Sequence, residues 1–225
     1  HMAEYGTTRE QLAQVAVKNH AHGAKNPLAQ LRKPIDIATV LRSPKVAEPL
    51  TVFDCAPLCD GAACVVLGTR EVAERARGPT IRVAGSGQGS DNLAIHDRAS
   101  LTTFRATQEA ARRAYVEAQV SAGDLQVAEV HDITTIAELF AIEDLGFVRK
   151  GEGGPATGEG RTTFGGDIVV NPSGGLKARG HPTGATGIAQ ICELTWQLRG
   201  KAEERQVRDA RLALAHATGG TGATA

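Results

Sequence analysis

The chain has 225 residues, enough to bury a substantial core in one large or two small domains. Its 25 acidic residues balance 25 Lys and Arg without any basic block, which argues against nucleic acid as a partner. No apolar run reaches the ~18 residues of a membrane-spanning helix and no signal-peptide pattern opens the chain, so the expectation is no membrane span and a reduced, cytoplasmic setting.

Leu12, Ala16 and His20 at four-residue steps predict a helix over 8–22, stopped by Lys25-Asn26-Pro27. Pro34, Pro44 and Pro49 punctuate a loop-rich stretch with a short helix near Ile37–Leu41. Ala62–Leu67 is a compact apolar run that reads as a buried strand, and Arg70–Arg77 as a helix ended by Gly78-Pro79. Ile81–Ala84 begins another strand ahead of Gly85-Ser-Gly-Gln-Gly89. Thr103–Gln119 carries alanines, Phe104 and Tyr115 at helical spacing. Val127–Val130 reads as a strand leading into His131-Asp132. Thr135-Ile-Ala-Glu138 reads as a capping box that opens a helix to about Leu145, with Gly146 as its stop. Residues 151–166 are glycine-rich and charged, and are expected to form an exposed loop. Leu212–Ala215 reads as a strand leading to His216. Strands alternating with helices predict an α/β fold.

Residues 171–187 read Asn-Pro-Ser-Gly-Gly-Leu-Lys-Ala-Arg-Gly-His-Pro-Thr-Gly-Ala-Thr-Gly, and the apolar run Ile188–Leu198 follows. Five glycines and two prolines surround His181. Glycine lets a backbone approach a ligand closely, and a glycine-rich loop that opens a helix can aim N–H groups at a ligand oxygen. The loop is longer than a turn needs. His131, His181 and His216 all follow or sit among strand-end and loop signals, where ligands of open α/β sheets bind, so the three are expected to converge.

The 171–187 stretch resembles the C-terminal signature of thiolases, in particular the sterol-carrier-protein-2 and archaeal-type branch. The resemblance extends to Tyr5-Gly-Thr-Thr-Arg-Glu-Gln-Leu-Ala13, Asp60-Gly-Ala-Ala63, Glu129-Val-His-Asp-Ile-Thr-Thr-Ile-Ala-Glu-Leu139 and Leu214-Ala-His-Ala-Thr-Gly-Gly220, in family order. It implies a thiolase-like layered α-β-α-β-α fold that is incomplete here. The family's nucleophilic cysteine stands in an N-terminal half upstream of the matched region, and none of Cys55, Cys59, Cys64 and Cys192 lies in such a motif. Ala225 falls where the family's last strand should run. On this reading residues 1–50 are the remnant of a loop domain that covers the active site, 51–90 end the N-terminal domain, and 91–225 form the C-terminal domain.

The resemblance also implies roles. His181, within Gly180-His181-Pro182, activates the nucleophilic cysteine and helps to bind the thioester oxygen; a neighbouring imidazole favours the reactive thiolate. His131 helps to form an oxyanion hole for the charge that develops on the thioester oxygen; the other reading is a structural histidine bonded to a carbonyl. Ile133 stands where that branch has an acid/base cysteine, and isoleucine cannot transfer a proton. His216 stands where many thiolases carry a second cysteine, and could act as acid/base or only support the site. Thr218 replaces a family glycine; with Gly219 and Gly180 it is expected to support the oxyanion hole and the loop. Asn26, Ser173 and Gly174 are candidate substrate contacts, although Asn26 and Ser173 could simply satisfy loop backbone. Lys18, Lys25, Arg32 and Lys33 could attract coenzyme A phosphates or be exposed charges. Cys55, Cys59 and Cys64 read as buried small apolar groups and Cys192 as helix packing; their spacing matches no zinc pattern, and no metal is implied.

The implied activity of the complete protein is acyl transfer next to a coenzyme A thioester, making or cleaving a carbon–carbon bond. Acetyl-CoA, 3-ketoacyl-CoA and free coenzyme A would be reactants, with coenzyme A a substrate rather than a tightly bound cofactor. The alternatives are a thiolase-like aldolase or lyase acting on a CoA thioester, and a non-catalytic subunit that binds lipid acyl-CoA or scaffolds a partner. A homo-oligomer, dimer or tetramer, and a small OB-fold partner protein complete the expectation.

Overall fold

The computed structural model describes residues 1–76 and 78–225. The chain opens with α1 (Met2–Tyr5) and α2 (Arg9–Gly23). Helix α2 starts where a capping box forms: Thr8 Oγ1 accepts from Gln11 N at 3.2 Å, and Gln11 Oε1 accepts from Thr8 N at 2.9 Å. It packs against four other helices and buries Lys18, Asn19, His20 and His22 along with Leu12, Ala13, Val15 and Ala16. Helix α3 (Ile37–Arg42) is capped by Asp36, whose Oδ1 accepts from Thr39 N at 2.7 Å. A small antiparallel pair, β1 (Lys45–Ala47) and β2 (Leu50–Thr51), follows.

The two strands expected at 62–67 and 81–84 do not form. Both segments are irregular, and Val66, Leu67 and Val83 are exposed. A strand is a long-range structure: it needs a neighbour's N–H and C=O groups, and among the described residues no strand lies alongside either segment. Between them, α4 (Arg70–Arg75) matches the predicted helix, whose last predicted residue, Arg77, lies outside the described residues. Gly85, Gly87 and Gly89 lie directly on the backbone of α5 (Arg105–Ala118), opposite Ala114, Ala110 and Ala106. Two residues of extended chain and four residues of helix both advance about 6 Å, so the glycines meet successive helix turns in step. A Cβ at Gly87 would overlap the Ala110 carbonyl. Gly87→Ala is therefore expected to lower stability by about 1–3 kcal/mol in denaturant unfolding, the usual range for overpacking.

The core is built on β3 (Val127–Glu129), followed by α6 (Thr135–Asp144), α7 (Gly153–Gly158), β4 (Val169–Val170), α8 (Gly175–Arg179), α9 (Thr186–Leu198) and β5 (Ala213–Ala215). The strands run parallel in the order β4-β3-β5. Val127 pairs with Val169 and Ala213, and Ala128 with Val170 and Leu214. Because side chains alternate across a strand, each row faces one side. Val127, Val169 and Ala213 pack with Leu194 of α9, whereas Ala128, Val170 and Leu214 pack with Leu12 and Val15 of α2 and Leu139 and Ile142 of α6. The result is a parallel sheet with helices on both faces.

Two local expectations are corrected. The cap of α6 is Thr134, whose Oγ1 accepts from Ala137 N at 3.4 Å; Thr135 instead donates to Asp54, and Glu138 turns inward to a buried network. Residues 151–166 are not a wholly exposed loop. They contain α7, where Gly153, Gly154, Ala156 and Thr157 are buried. The glycines there serve close packing: a Cβ at Gly154 would lie 2.6 Å from Gln11 Oε1, and one at Gly153 2.8 Å from Glu143 Oε1.

Candidate active site

The parallel strands open their carboxyl ends on one edge, and the chain leaving each carries a polar residue to it. His131 lies just past β3, Asn171 directly follows β4, and His216 directly follows β5. The His216 N–H donates to Glu129 O at 2.8 Å, which extends the β3–β5 ladder by one bond. The loop 171–187 folds back so that the His181 and His131 rings meet edge to face, 5.3 Å between centroids. All three histidines are buried.

A buried polar network holds this loop. Asp132 accepts from Leu176 N at 2.7 Å, Lys177 N at 3.2 Å and Asn19 Nδ2 at 2.7 Å. Glu138 accepts from Asn19 Nδ2 at 2.7 Å and Asn171 Nδ2 at 2.8 Å, and its other oxygen pairs with Lys18 Nζ at 2.7 Å. Glu129 accepts from Ser173 N at 3.0 Å and Ser173 Oγ at 2.7 Å. Burial pushes the Asp132 and Glu129 carboxyls up, each to about 7; the Glu138 charge adds to the effect at Asp132, and Arg179 opposes it at Glu129. Gly175 adopts φ 60°, and a Cβ there would overlap the Asp132 carboxylate. Gly180 adopts φ 108°, with Cys59 Sγ only 2.7 Å from where a Cβ would stand.

His181 is held by its own loop and by the chain at Pro57. Its N–H donates to Pro57 O at 3.0 Å, and its Nδ1 lies 2.8 Å from Thr186 Oγ1. Thr186 Oγ1 also lies 3.1 Å from Pro182 O; when its single proton points there, it accepts from Nδ1–H and leaves the Nε2 lone pair free. Burial and then the charge of Arg179 push the His181 pKa down. Burial, His181 and Arg179 push His131 down to about 4. His216 is pushed to about 3 by burial and His131, and its Nε2 bonds Thr107 Oγ1 at 2.9 Å. Near neutral pH the cluster is uncharged, with a basic nitrogen on His181.

This arrangement has a pH signature. An unfolded histidine titrates near 6.5, so a folded pKa of about 3 means that stability is present above 6.5 and lost as pH falls toward 3. Between pH 6 and 4 the protein is expected to lose about 1.4 kcal/mol per pH unit more than His216→Gln, in urea unfolding at each pH.

The other predicted residues have clear places. Asn26 Nδ2 donates to Ser173 O at 2.9 Å and Asn26 Oδ1 accepts from Leu28 N at 3.0 Å, so Asn26 and Ser173 are both engaged in building the loop. Gly174 packs against Gly23 of α2. Thr218 and Gly219 line a cavity of about 310 Å³ with His131, Ile133, Ile136, Phe104 and Phe140. The Gly219 N–H is taken by Thr224 O at 3.1 Å. Lys18 is neither an exposed charge nor a phosphate contact; it is buried against Glu138 and Val170 O. Cys64 is exposed, and Cys55, Cys59 and Cys192 are half-buried, so the cysteines of 55–64 are not the buried apolar groups expected. The sequence reading missed Asn19, Asn171, Thr107 and Thr186. For the network as a whole, the acids inside the apolar stretch of α6 were the available signal, because a helix apolar all round is buried.

A family model described as Thiolase C-terminal domain-like matches residues 87–225. The chain belongs to the thiolase family. It is 51% identical over its whole length to an acetyl-CoA acetyltransferase of Methanothermobacter thermautotrophicus, covering 59% of that protein. It is 39% identical over 99% of its length to sterol carrier protein 2 of Bos taurus, covering 42% of it. Among solved structures, a chain of the "Ltp2-ChsH2(DUF35) aldolase" superposes with a TM-score of 0.88 at 25% identity, over 99% of this chain and 59% of that one. This thiolase-family chain thus spans about half the length of these relatives. Among its described residues no helix is long and apolar enough to cross a membrane.

Proposed function

We propose that this chain supplies the His181 half of the active site of an acyltransferase that works on coenzyme A thioesters. The observation that carries the reading is the His181 geometry: Nδ1 is 2.8 Å from Thr186 Oγ1, which can send its own proton to Pro182 O, and the ring meets that of His131 edge to face. A neutral imidazole with a free Nε2 can take a proton from a thiol, and a second neutral imidazole can donate to a thioester oxygen as it gains charge. On this reading the nucleophilic cysteine comes from outside the matched region, as the resemblance implies. The cavity beside His131 has apolar walls from Ile133, Ile136, Phe104 and Phe140, which suit the acyl group next to the thioester. A homo-oligomer and a small OB-fold partner belong to the same proposal; the likeness to the aldolase, itself named as a pair of two proteins, supports a partner.

The experiment is turnover by the full-length protein of acetoacetyl-CoA with free coenzyme A, followed as acetyl-CoA formed. Turnover that depends on coenzyme A supports acyl transfer. A second reading, retro-aldol cleavage of a 3-hydroxyacyl-CoA, is favoured by Ile133, which lines the cavity where an acid/base thiol would stand, and by the aldolase match. Carbonyl product released without any need for coenzyme A would select it. Absence of both reactions and of acyl-CoA binding would sink the enzyme reading. If the cavity holds the acyl group, Ile133→Trp is expected to lower kcat/KM for an eight-carbon acyl substrate about 10-fold more than for a four-carbon one, the scale of a pocket that loses a few methylenes of room.

A further inference from the structure

Three segments meet beside the histidines, and each is bonded to the other two. The turn that follows His131 holds the chain at 54–56: Ala56 N donates to Ile133 O at 2.8 Å, and Thr135 Oγ1 donates to Asp54 Oδ1 at 2.8 Å. The same turn holds α8, since Asp132 accepts from Leu176 N at 2.7 Å and Lys177 N at 3.2 Å. The third side of the triangle joins 55–57 to the His181 loop. There the His181 N–H donates to Pro57 O at 3.0 Å, and Lys177 Nζ donates to Cys55 O. Lys177 is thus tied by its main chain to the residue beside His131, and by its side chain to the short strip on which His181 hangs.

This lysine is an expensive choice for its place. It is 1% exposed, so the chain's own atoms enclose it. Burial pushes its pKa below the ordinary lysine value, and the Asp132 charge opposes that shift. An unbranched apolar side chain would fill the same space without taking a charge out of water, so what lysine adds is the bond. Of the two bonds on the third side, it is also the one that a side chain makes.

We propose that Lys177 is a positioning residue of the acyl-transfer site: its buried ammonium, on Cys55 O, closes the triangle that sets the His181 ring against the His131 ring. The proposal rests on the acyl-transfer reading of that site. The two rings meet edge to face with 5.3 Å between centroids, and they stand on two different corners of the triangle. With Cys55 O released, 55–57 is held to the loop through main-chain contacts alone, and His181 loses a fixed distance to its partner. A displacement of about 1 Å in a catalytic group can cost on the order of 100-fold in rate.

The test compares Lys177→Met and Thr135→Val in the full-length protein. The first keeps the length of the side chain and removes the bond to Cys55 O. The second acts at another corner and removes the bond to Asp54. Each is expected to lower kcat for coenzyme-A-dependent cleavage of acetoacetyl-CoA by about 10- to 100-fold, with little change in KM. Nitrogen NMR of protein carrying isotopically labelled histidine supplies a readout that needs no turnover. The ring signals of His131 and His181, identified by their loss in His131→Gln and His181→Gln, should move in both variants, while those of His96, outside the three segments, stay in place. Should Lys177→Met fail to fold, Thr135→Val reads the same triangle. Unmoved ring signals overturn the proposal, and so do moved signals with kcat unchanged. Moved signals in a protein whose unaltered form performs no acyl transfer would keep the positioning and fell only the acyl-transfer reading.

Discussion

Replacing His181 by alanine in the full-length protein is expected to lower kcat by about 10²–10⁴-fold, with a much smaller change in coenzyme A affinity. The ring does not act as a bulk filler here. Its backbone is held by Pro57 O and its Nδ1 by Thr186, so the one nitrogen left without a partner from the loop is Nε2. Removing it should also slow alkylation of the nucleophilic cysteine at neutral pH, because fewer thiolates form without a neighbouring base. Alkylation at high pH should recover much of the difference. The pKa of His181 is pushed below its ordinary value by burial and Arg179, so the acid limb of kcat/KM should lie below pH 6.5, activity falling as pH drops through it. Thr186→Val should give an intermediate loss, since it frees the tautomer without removing the ring. Unchanged turnover and alkylation in His181→Ala would make Gly180-His181-Pro182 a structural turn.

The second large effect is on stability. Lys18→Ala is expected to cost about 3–5 kcal/mol, because it leaves the buried Glu138 carboxylate without its cation. Lys18 also donates to Val170 O at 3.0 Å, at the end of β4, so the change removes a charge and a strand-end bond together. The double change Lys18→Met with Glu138→Gln should recover a good part of the loss, since a neutral amide can still accept from Asn19 or Asn171. Urea unfolding of the three variants measures both statements. The loss should reach the site as well. Asn19 bridges Glu138 and Asp132, and Asp132 holds the N–H groups of Leu176 and Lys177, so the 171–180 loop hangs from the same network. Equal instability of the single and double variants would show that packing around Lys18, not charge, sets the cost.

The helices were legible wherever their information is local. Leu12, Ala16 and His20 at four-residue steps, the alanine spacing of 103–119, the stop at Gly146 and the apolar run Ile188–Leu198 act within a few turns of themselves, and α2, α5, α6 and α9 formed where those signals stand. The short strands before His131 and His216 were legible too, because an apolar run that ends in a polar residue marks a strand leaving the core; the first is buried and the second is half-buried beside it. The same local rule failed at 62–67 and 81–84, whose apolar runs lack a neighbouring strand to complete their backbone bonds. It failed again at 151–166, where glycines that look like loop are the small residues on which α7 packs.

At the site, the sequence by itself determined the chemical cast: His181 in its glycine-rich loop, and His131 and His216 at strand ends. Only the tertiary structure decided their protonation and their support. Whether a histidine is neutral depends on burial and on neighbours such as Arg179, which come from different elements. Whether Nε2 is the free nitrogen of His181 depends on where Thr186 sends its proton. Lys18 reads as one basic residue among many until α2 packs beside α6 and places it on Glu138. Residue type sets what a side chain can do, while dielectric and partner set what it does, and both of those are properties of contacts between elements far apart in the chain.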